Sequence, residues 1–147
     1  MDTAMHEIVC PACSAVNRLP PERPALAAKC GKCHAALFDD RPVALTAGNF
    51  SKHMVRNSIP VVVDFWAGWC GPCKAMAPEF KKAADVMEPN VRFAKLDTEA
   101  AQAVAVTHNI RSIPTMILFK GGREIARQSG AIGAGHIVQW LRENLGG

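Results

Sequence analysis

The chain has 147 residues, 49% of them apolar, which is enough for one ordinary domain with a real core plus a small additional module. Its net charge of +4 is unevenly placed: residues 1–40 carry four Lys/Arg against five Asp/Glu, and residues 41–147 carry thirteen against eight. The cysteine-rich N-terminal piece therefore lacks the basic footprint of a nucleic-acid binder, and no apolar run approaches the ~20 residues of a membrane helix.

The first seven residues show no basic stretch followed by an apolar one. The sequence thus predicts no secretory signal and a reducing, cytoplasmic setting. In that setting six cysteines read as metal ligands or catalytic thiols, not as structural disulfides. Two pairs, Cys10-Pro11-Ala12-Cys13 and Cys30-Gly31-Lys32-Cys33, are separated by sixteen residues. Two residues between cysteines let both sulfurs reach one ion from a tight turn, and two such turns complete a tetrahedron. The spacing fits a zinc ribbon whose four thiolates hold one structural zinc ion, with Gly31 serving the turn after Cys30. The spacer, with Pro20, Pro21 and Pro24, is poor in helix signals and fits short strands and loops. A piece of this size has too little core to fold alone, so metal supplies its folding energy. With four cysteines filling the shell, His34 is read as a surface residue, and His6, His53, His108 and His136 form no cluster.

A charged linker at 39–42, ending in Pro42, divides a ribbon module (1–40) from the main domain (41–147). Beyond it the pattern predicts a strand over 43–45, a helix over 50–57 and a strand over 61–66. A long helix follows from Cys73 to about Met87, then a strand over 91–96 and a helix over 99–107. A strand over 115–119, a turn at Gly121-Gly122, a strand over 123–128 and a helix over 134–145 complete the chain. Alternating strands and helices closed by a hairpin indicate an α/β fold, a mixed central sheet flanked by helices.

The third pair, Cys70-Gly71-Pro72-Cys73, lies between the strand over 61–66 and the long helix. Cys73, Met76, Ala77, Phe80, Ala83, Ala84 and Met87 recur at helical spacing and mark the buried face. Cys70 then falls at the N-cap and Pro72 in the first turn, where a missing N–H does little harm. Because Pro72 has no N–H, the Cys73 amide is the donor expected at the Cys70 sulfur. That bond and the positive helix end lower the Cys70 pKa. Cys73 faces inward and should be the more buried sulfur. The roles separate: Cys70 attacks and Cys73 resolves. Pro78 should kink the helix by removing the bond to the Lys74 carbonyl. Asp64, in a run of Val, Phe and Trp, reads either as an edge aspartate satisfied by backbone or as a buried carboxyl of raised pKa. By itself Lys95 reads as a surface lysine.

Trp69-Cys70-Gly71-Pro72-Cys73-Lys74 behind Val63-Asp64-Phe65-Trp66-Ala67 closely resembles the active site of the thioredoxin family. The similarity continues through Phe93-Ala94-Lys95-Leu96-Asp97, Ile110-Arg111-Ser112-Ile113-Pro114-Thr115, Leu118-Phe119-Lys120-Gly121-Gly122 and Gly130-Ala131, spanning about 43 to 145. With the ribbon added, the chain resembles the zinc-ribbon thioredoxins, the second thioredoxin type of many bacteria. The resemblance implies a thioredoxin fold and protein-disulfide reduction by thiol–disulfide exchange. It implies that Asp64 is the proton acceptor for Cys73 and that Lys95 is the lysine beside it. It also implies that Pro114 is cis and faces the dithiol, so that the backbone before it can pair with a substrate strand. Trp69, Gly71, Pro72, Ile113, Pro114, Gly130 and Ala131 would line a shallow apolar groove, with Trp66 in the core and Trp69 at the surface. Ser112 stands where many members have glycine. The implied partners are disulfide-containing proteins and an NADPH-dependent thioredoxin reductase, with no organic cofactor bound and the chain acting as a monomer. A disulfide oxidase or isomerase is one alternative class; the Gly71-Pro72 dipeptide resembles reducing thioredoxins, whereas oxidases of the fold commonly carry a histidine beside the second cysteine. A binding module whose ribbon docks partners is the other function class considered.

Overall fold

Strand β4 (Val61–Trp66) is the centre around which the other elements gather. The computed structural model describes residues 5–146. The N-terminal piece forms β1 (His6–Val9) and β2 (Val16–Leu19), an antiparallel pair, followed by a 3-10 turn at Ala25–Ala27. The main sheet contains β3 (Val43–Leu45), β4, β5 (Arg92–Asp97), β6 (Thr115–Lys120) and β7 (Arg123–Ser129) in the order β3-β5-β4-β6-β7. The first three strands in that order run parallel; β6 and β7 are antiparallel additions. The helices are α1 (Phe50–Arg56), α2 (Gly71–Met87), α3 (Gln102–Thr107) and α4 (Ala134–Asn144). No described helix is long and apolar enough to cross a membrane.

The alternation of β4 side chains gives the sheet two apolar faces. Val62 packs with Met76, Phe80 and Ala83 of α2 and with Ile137 and Leu141 of α4. Val63 and Phe65 pack on the other side with Phe50 and Met54 of α1, Leu96 and Phe119. Asp64 shares the Val62 face, directly opposite Lys95 of β5 and Met116 of β6. The buried face of α2 matches the sequence pattern except at Ala77, which is exposed. Its place at the margin of the stripe leaves it beyond the sheet's cover. The helix continues through Pro78, which is also exposed, so water can reach the carbonyl that loses its partner. At the start of α4, the Ala134 N–H donates to Glu79 Oε1 at 3.0 Å, tying the two helices and holding the Glu79 carboxyl below its usual range.

A third core belongs to the ribbon: Ile8, Leu19, Leu37 and Phe38 pack around Cys10 and Cys30, with Ile59 from the segment before β4. The seam is hydrogen-bonded as well. Val9 N–H donates to Asn57 Oδ1 at 2.8 Å, and Glu7 and Ser58 exchange backbone and hydroxyl bonds. Fully buried Arg92 donates through Nη2 to the Leu37 carbonyl at 2.7 Å and to the Val9 carbonyl at 3.3 Å. Its guanidinium lies 4.2 Å over the Phe38 ring and 3.9 Å from Glu88. Burial moves Arg92 down to about 10, which leaves it charged at neutrality, and pushes Glu88 up to about 7.

Candidate active site and metal centre

The β4–α2 junction builds the first site. Cys70 is the N-cap of α2 in an extended conformation, and its Sγ accepts the Cys73 N–H at 3.1 Å. Pro72 removes the competing donor one residue earlier, so the expected bond is the one formed. Cys70 and Cys73 are joined as a disulfide. The expected contrast in burial is absent: Cys70 is 4% exposed and Cys73 3%. Both sulfurs share one bridge, so what separates them is their surroundings. Cys70 lines a cavity of about 480 Å3 and Cys73 does not.

Trp69, Gly71, Pro72 and Ile113 line the same cavity. Trp69 is 70% exposed, and its Nε1–H donates to Glu99 Oε1 at 2.6 Å. The Ile113–Pro114 bond is cis, and the Ile113 carbonyl oxygen lies 3.8 Å from Cys70 Sγ. A second cis bond, Glu88–Pro89, was not anticipated. Pro114, Gly130 and Ala131 do not line this cavity. Gly130 N–H donates to the Pro114 carbonyl at 2.9 Å, with Gly130 at φ 92°, a left-handed position that only glycine adopts readily. The sequence reading missed Thr98, Ala105, Ile110 and Arg111, which complete the lining beside Ser112. Ile110 and Arg111 directly precede Ser112-Ile113-Pro114 and could have been found from that loop. Thr98 and Ala105 arrive from the β5–α3 region and carry no local signal.

Asp64 is buried, and its Oδ1 has no hydrogen-bond partner among the described residues. Burial raises its pKa to about 7, and the Lys95 charge opposes that rise. Backbone does not satisfy this carboxyl oxygen, so the edge-aspartate alternative does not describe it. Lys95 is exposed, opposite Asp64 in the β4–β5 register, with Nζ 5.6 Å above the ring of half-buried Trp66.

The second site is the four-cysteine cluster. The sulfurs of Cys10, Cys13, Cys30 and Cys33 all lie within 4.8 Å of one another. Cys10 Sγ is 3.6 Å from Cys33 Sγ, and Cys13 Sγ is 3.7 Å from Cys30 Sγ. A zinc–thiolate tetrahedron with legs of about 2.3 Å has edges of about 3.8 Å, so the donor set fits zinc in size and chemistry. Backbone amides brace the sulfurs: Ala12 and Cys13 N–H donate to Cys10 Sγ, Lys32 N–H to Cys30 Sγ. Asn17 holds the second turn, accepting from Gly31 N–H at 2.9 Å and donating to Cys30 Sγ at 3.5 Å. Gly31 is not where the backbone needs a glycine. The left-handed residues are Ser14 (φ 63°) and exposed His34 (φ 66°), each following the second cysteine of its turn.

Comparison with known proteins agrees with this geometry. The Thioredoxin family model matches residues 41–143, and the model described as "Thioredoxin 2, N-terminal" matches residues 9–35. Thioredoxin C-3 of Corynebacterium nephridii is 46% identical over 138 residues, covering 94% of each chain. Thioredoxin C-2 of the same organism is 37% identical over 70% of this chain and 95% of its own. Thioredoxin 1 of Nostoc sp. is 37% identical over 69% and 94%. A helix-capping dithiol beside a cis-proline loop, together with a four-cysteine ribbon that has its own small sheet, is thus found in a chain that belongs to the thioredoxin family, with the zinc ribbon of its Thioredoxin 2 N-terminal type.

Proposed function

We propose that this thioredoxin-type oxidoreductase works as a protein-disulfide reductase in which Cys70 is the nucleophile and Cys73 the resolving thiol. The Cys70 thiolate attacks one sulfur of a substrate disulfide. A mixed disulfide forms, and the other substrate sulfur leaves as a thiolate that takes a proton from solvent. Asp64, as carboxylate, accepts the proton of Cys73. The Cys73 thiolate then attacks the Cys70 sulfur and expels the second substrate sulfur. Two electrons have passed from the dithiol to the substrate, leaving the Cys70–Cys73 bridge. Lys95 keeps a fraction of Asp64 ionised near neutrality by opposing the effect of burial. Trp69, Gly71, Pro72, Ile113, Pro114, Gly130 and Ala131 form and support the groove that receives the substrate strand.

The observation that carries the reading is the Cys73 N–H···Sγ Cys70 bond at 3.1 Å, with Cys70 on the cavity wall. It places a stabilising donor and the helix N-terminus on the sulfur that a substrate meets first. The same proposal includes one structural zinc ion per chain on Cys10, Cys13, Cys30 and Cys33, regeneration by an NADPH-dependent thioredoxin reductase, and a monomer acting in the cytoplasm. It divides the chain into a ribbon (1–40) and a thioredoxin domain (41–147) joined by the Arg92 seam. NADPH oxidation in the presence of a thioredoxin reductase and a model protein disulfide tests it. Stoichiometric NADPH consumption that requires this protein supports the reading; no consumption with three unrelated reductases and substrates overturns it.

A further inference from the structure

The cavity beside Cys70 is walled mainly by apolar and small residues, and one charged residue lines it: Arg111. Arg111 is exposed, and it makes no hydrogen bond or ion pair among the described residues. The carboxylates of Glu99 and Asp97 have hydrogen-bond partners of their own, all neutral N–H groups. Glu99 Oε1 accepts the Trp69 indole, and Asp97 Oδ1 accepts the N–H groups of Glu99 (2.9 Å) and Ala100 (3.4 Å). Arg111 is the one charged side chain lining the groove, without a hydrogen bond or ion pair among the described residues, and it sits two residues before Ile113, whose carbonyl lies 3.8 Å from the Cys70 sulfur. A planar guanidinium with unused donors at that position suits a carboxylate on the incoming chain.

We infer that Arg111 is a specificity-determining residue, selecting substrate disulfides that carry an acidic side chain within a residue or two of the attacked cysteine. The inference rests on the reductase reading above and deepens it. Arg111 touches the substrate chain and not the reacting sulfurs, so it acts on how often a substrate docks productively. The interaction is exposed to solvent and is screened by salt, with a Debye length of about 3 Å at 1 M.

The test uses short peptides with one cysteine held as a mixed disulfide to 2-thiopyridine, a leaving group without charge. The residue on each side of the cysteine is set in turn to Glu, Gln or Lys. Reduced full-length protein is mixed with excess peptide, and release of pyridine-2-thione gives the second-order rate constant. The Glu-to-Lys rate ratio is the readout, so each variant is its own reference. We expect a ratio of about fivefold or more at one of the two positions at low ionic strength, falling toward one at 1 M salt. Arg111→Gln should bring the ratio close to one, and Arg111→Glu should invert it. Lys52→Gln on α1, which removes the same net charge at a residue that does not line the groove, should keep the wild-type ratio. A wild-type ratio of one at both positions, or an unchanged ratio in Arg111→Glu, overturns the inference while the reductase reading stands. If no peptide releases thione, Gln peptides included, the failure lies with the reductase reading itself.

Discussion

Three Cys-x-x-Cys pairs in this chain share a spacing, yet they are two different devices. In the Cys10 pair and in the Cys70 pair, the amide three residues on donates to the first sulfur, at 3.5 Å and 3.1 Å. The difference lies in what the neighbouring residues do. In the ribbon, Ala12 and Lys32 supply a further N–H to the first sulfur of each pair, and Ser14 and His34 turn the chain back in the left-handed conformation. Cys10 N–H then meets the Ala15 carbonyl and Cys30 N–H the Ala35 carbonyl, closing each turn on itself. At Cys70, Pro72 removes that further donor and the chain runs on as the 17-residue helix α2. A closed turn presents its sulfurs to a shared ion. A helix start presents one sulfur to the positive end of a dipole and to the cavity. Spacing sets which thiols can meet; the following residues set what they meet.

Exchanging single atoms at these sulfurs should give the largest effects. Cys70→Ser is expected to abolish disulfide reduction, and the reductase-coupled assay checks it. Metal analysis sharpens the division: Cys70→Ser/Cys73→Ser protein should retain zinc, whereas Cys13→Ser should lose it. Zinc loss should cost the ribbon most of its folding energy, read as lost amide protection in residues 6–38, because metal binding and folding are one event in so small a core. Zinc missing from the Cys70→Ser/Cys73→Ser protein would place metal at the wrong pair.

Asp64→Asn should slow the resolving step roughly ten- to a hundredfold near neutral pH, the low end for a lost general base because water can take the proton. Stability should move the other way. The folded-state pKa of Asp64 is raised from 3.8 to about 7. Between those values the folded protein binds the proton more tightly than the unfolded chain, so this group's contribution to stability falls as pH rises through the window. Above pH 7 the buried carboxylate costs on the order of 4 kcal/mol, and Asp64→Asn should be more stable by up to that amount. Urea melts at pH 5 and pH 8.5 check the sign; a variant that gains no stability between them contradicts the assignment of burial as the cause.

The seam should respond less. Arg92→Met leaves the Val9 and Leu37 carbonyls without their donor, and a loss of about 2–4 kcal/mol is expected, with Tm lower by about 5–15 °C. Because Val9 precedes Cys10, this variant asks how much of the ribbon is held by protein once zinc is present. An unchanged Tm would mean that metal alone holds it.

Local signals made the active-site junction legible. The strand-like run over 61–66 sets the limits of β4, of which only Trp66 is less than fully buried, and the missing Pro72 amide identifies the donor to Cys70. Where a contact is distant in sequence, nothing local announces it. Arg92 reaches carbonyls 55 and 83 positions away, so it reads as an ordinary strand-end charge. The start of α3 was misplaced for a nearer reason. A helix over 99–107 fits the periodicity, but Asp97 Oδ1 takes the amides of Glu99 and Ala100 into a turn, and the helix begins at Gln102. Ala77 shows the limit of a helical stripe, whose margin depends on the width of the sheet beneath it. The clustering of the four ribbon cysteines was legible from spacing alone, whereas the residues that shape their turns, Asn17, Ser14 and His34, were not.

The division of roles between Cys70 and Cys73 is tested most directly by trapping. Reduced Cys73→Ser protein is mixed with a disulfide-containing protein, quenched in acid and analysed by intact mass and peptide mapping. A one-to-one covalent adduct linked through Cys70, released by added thiol, is the predicted result. A stable adduct formed instead by Cys70→Ser protein through Cys73 would contradict it.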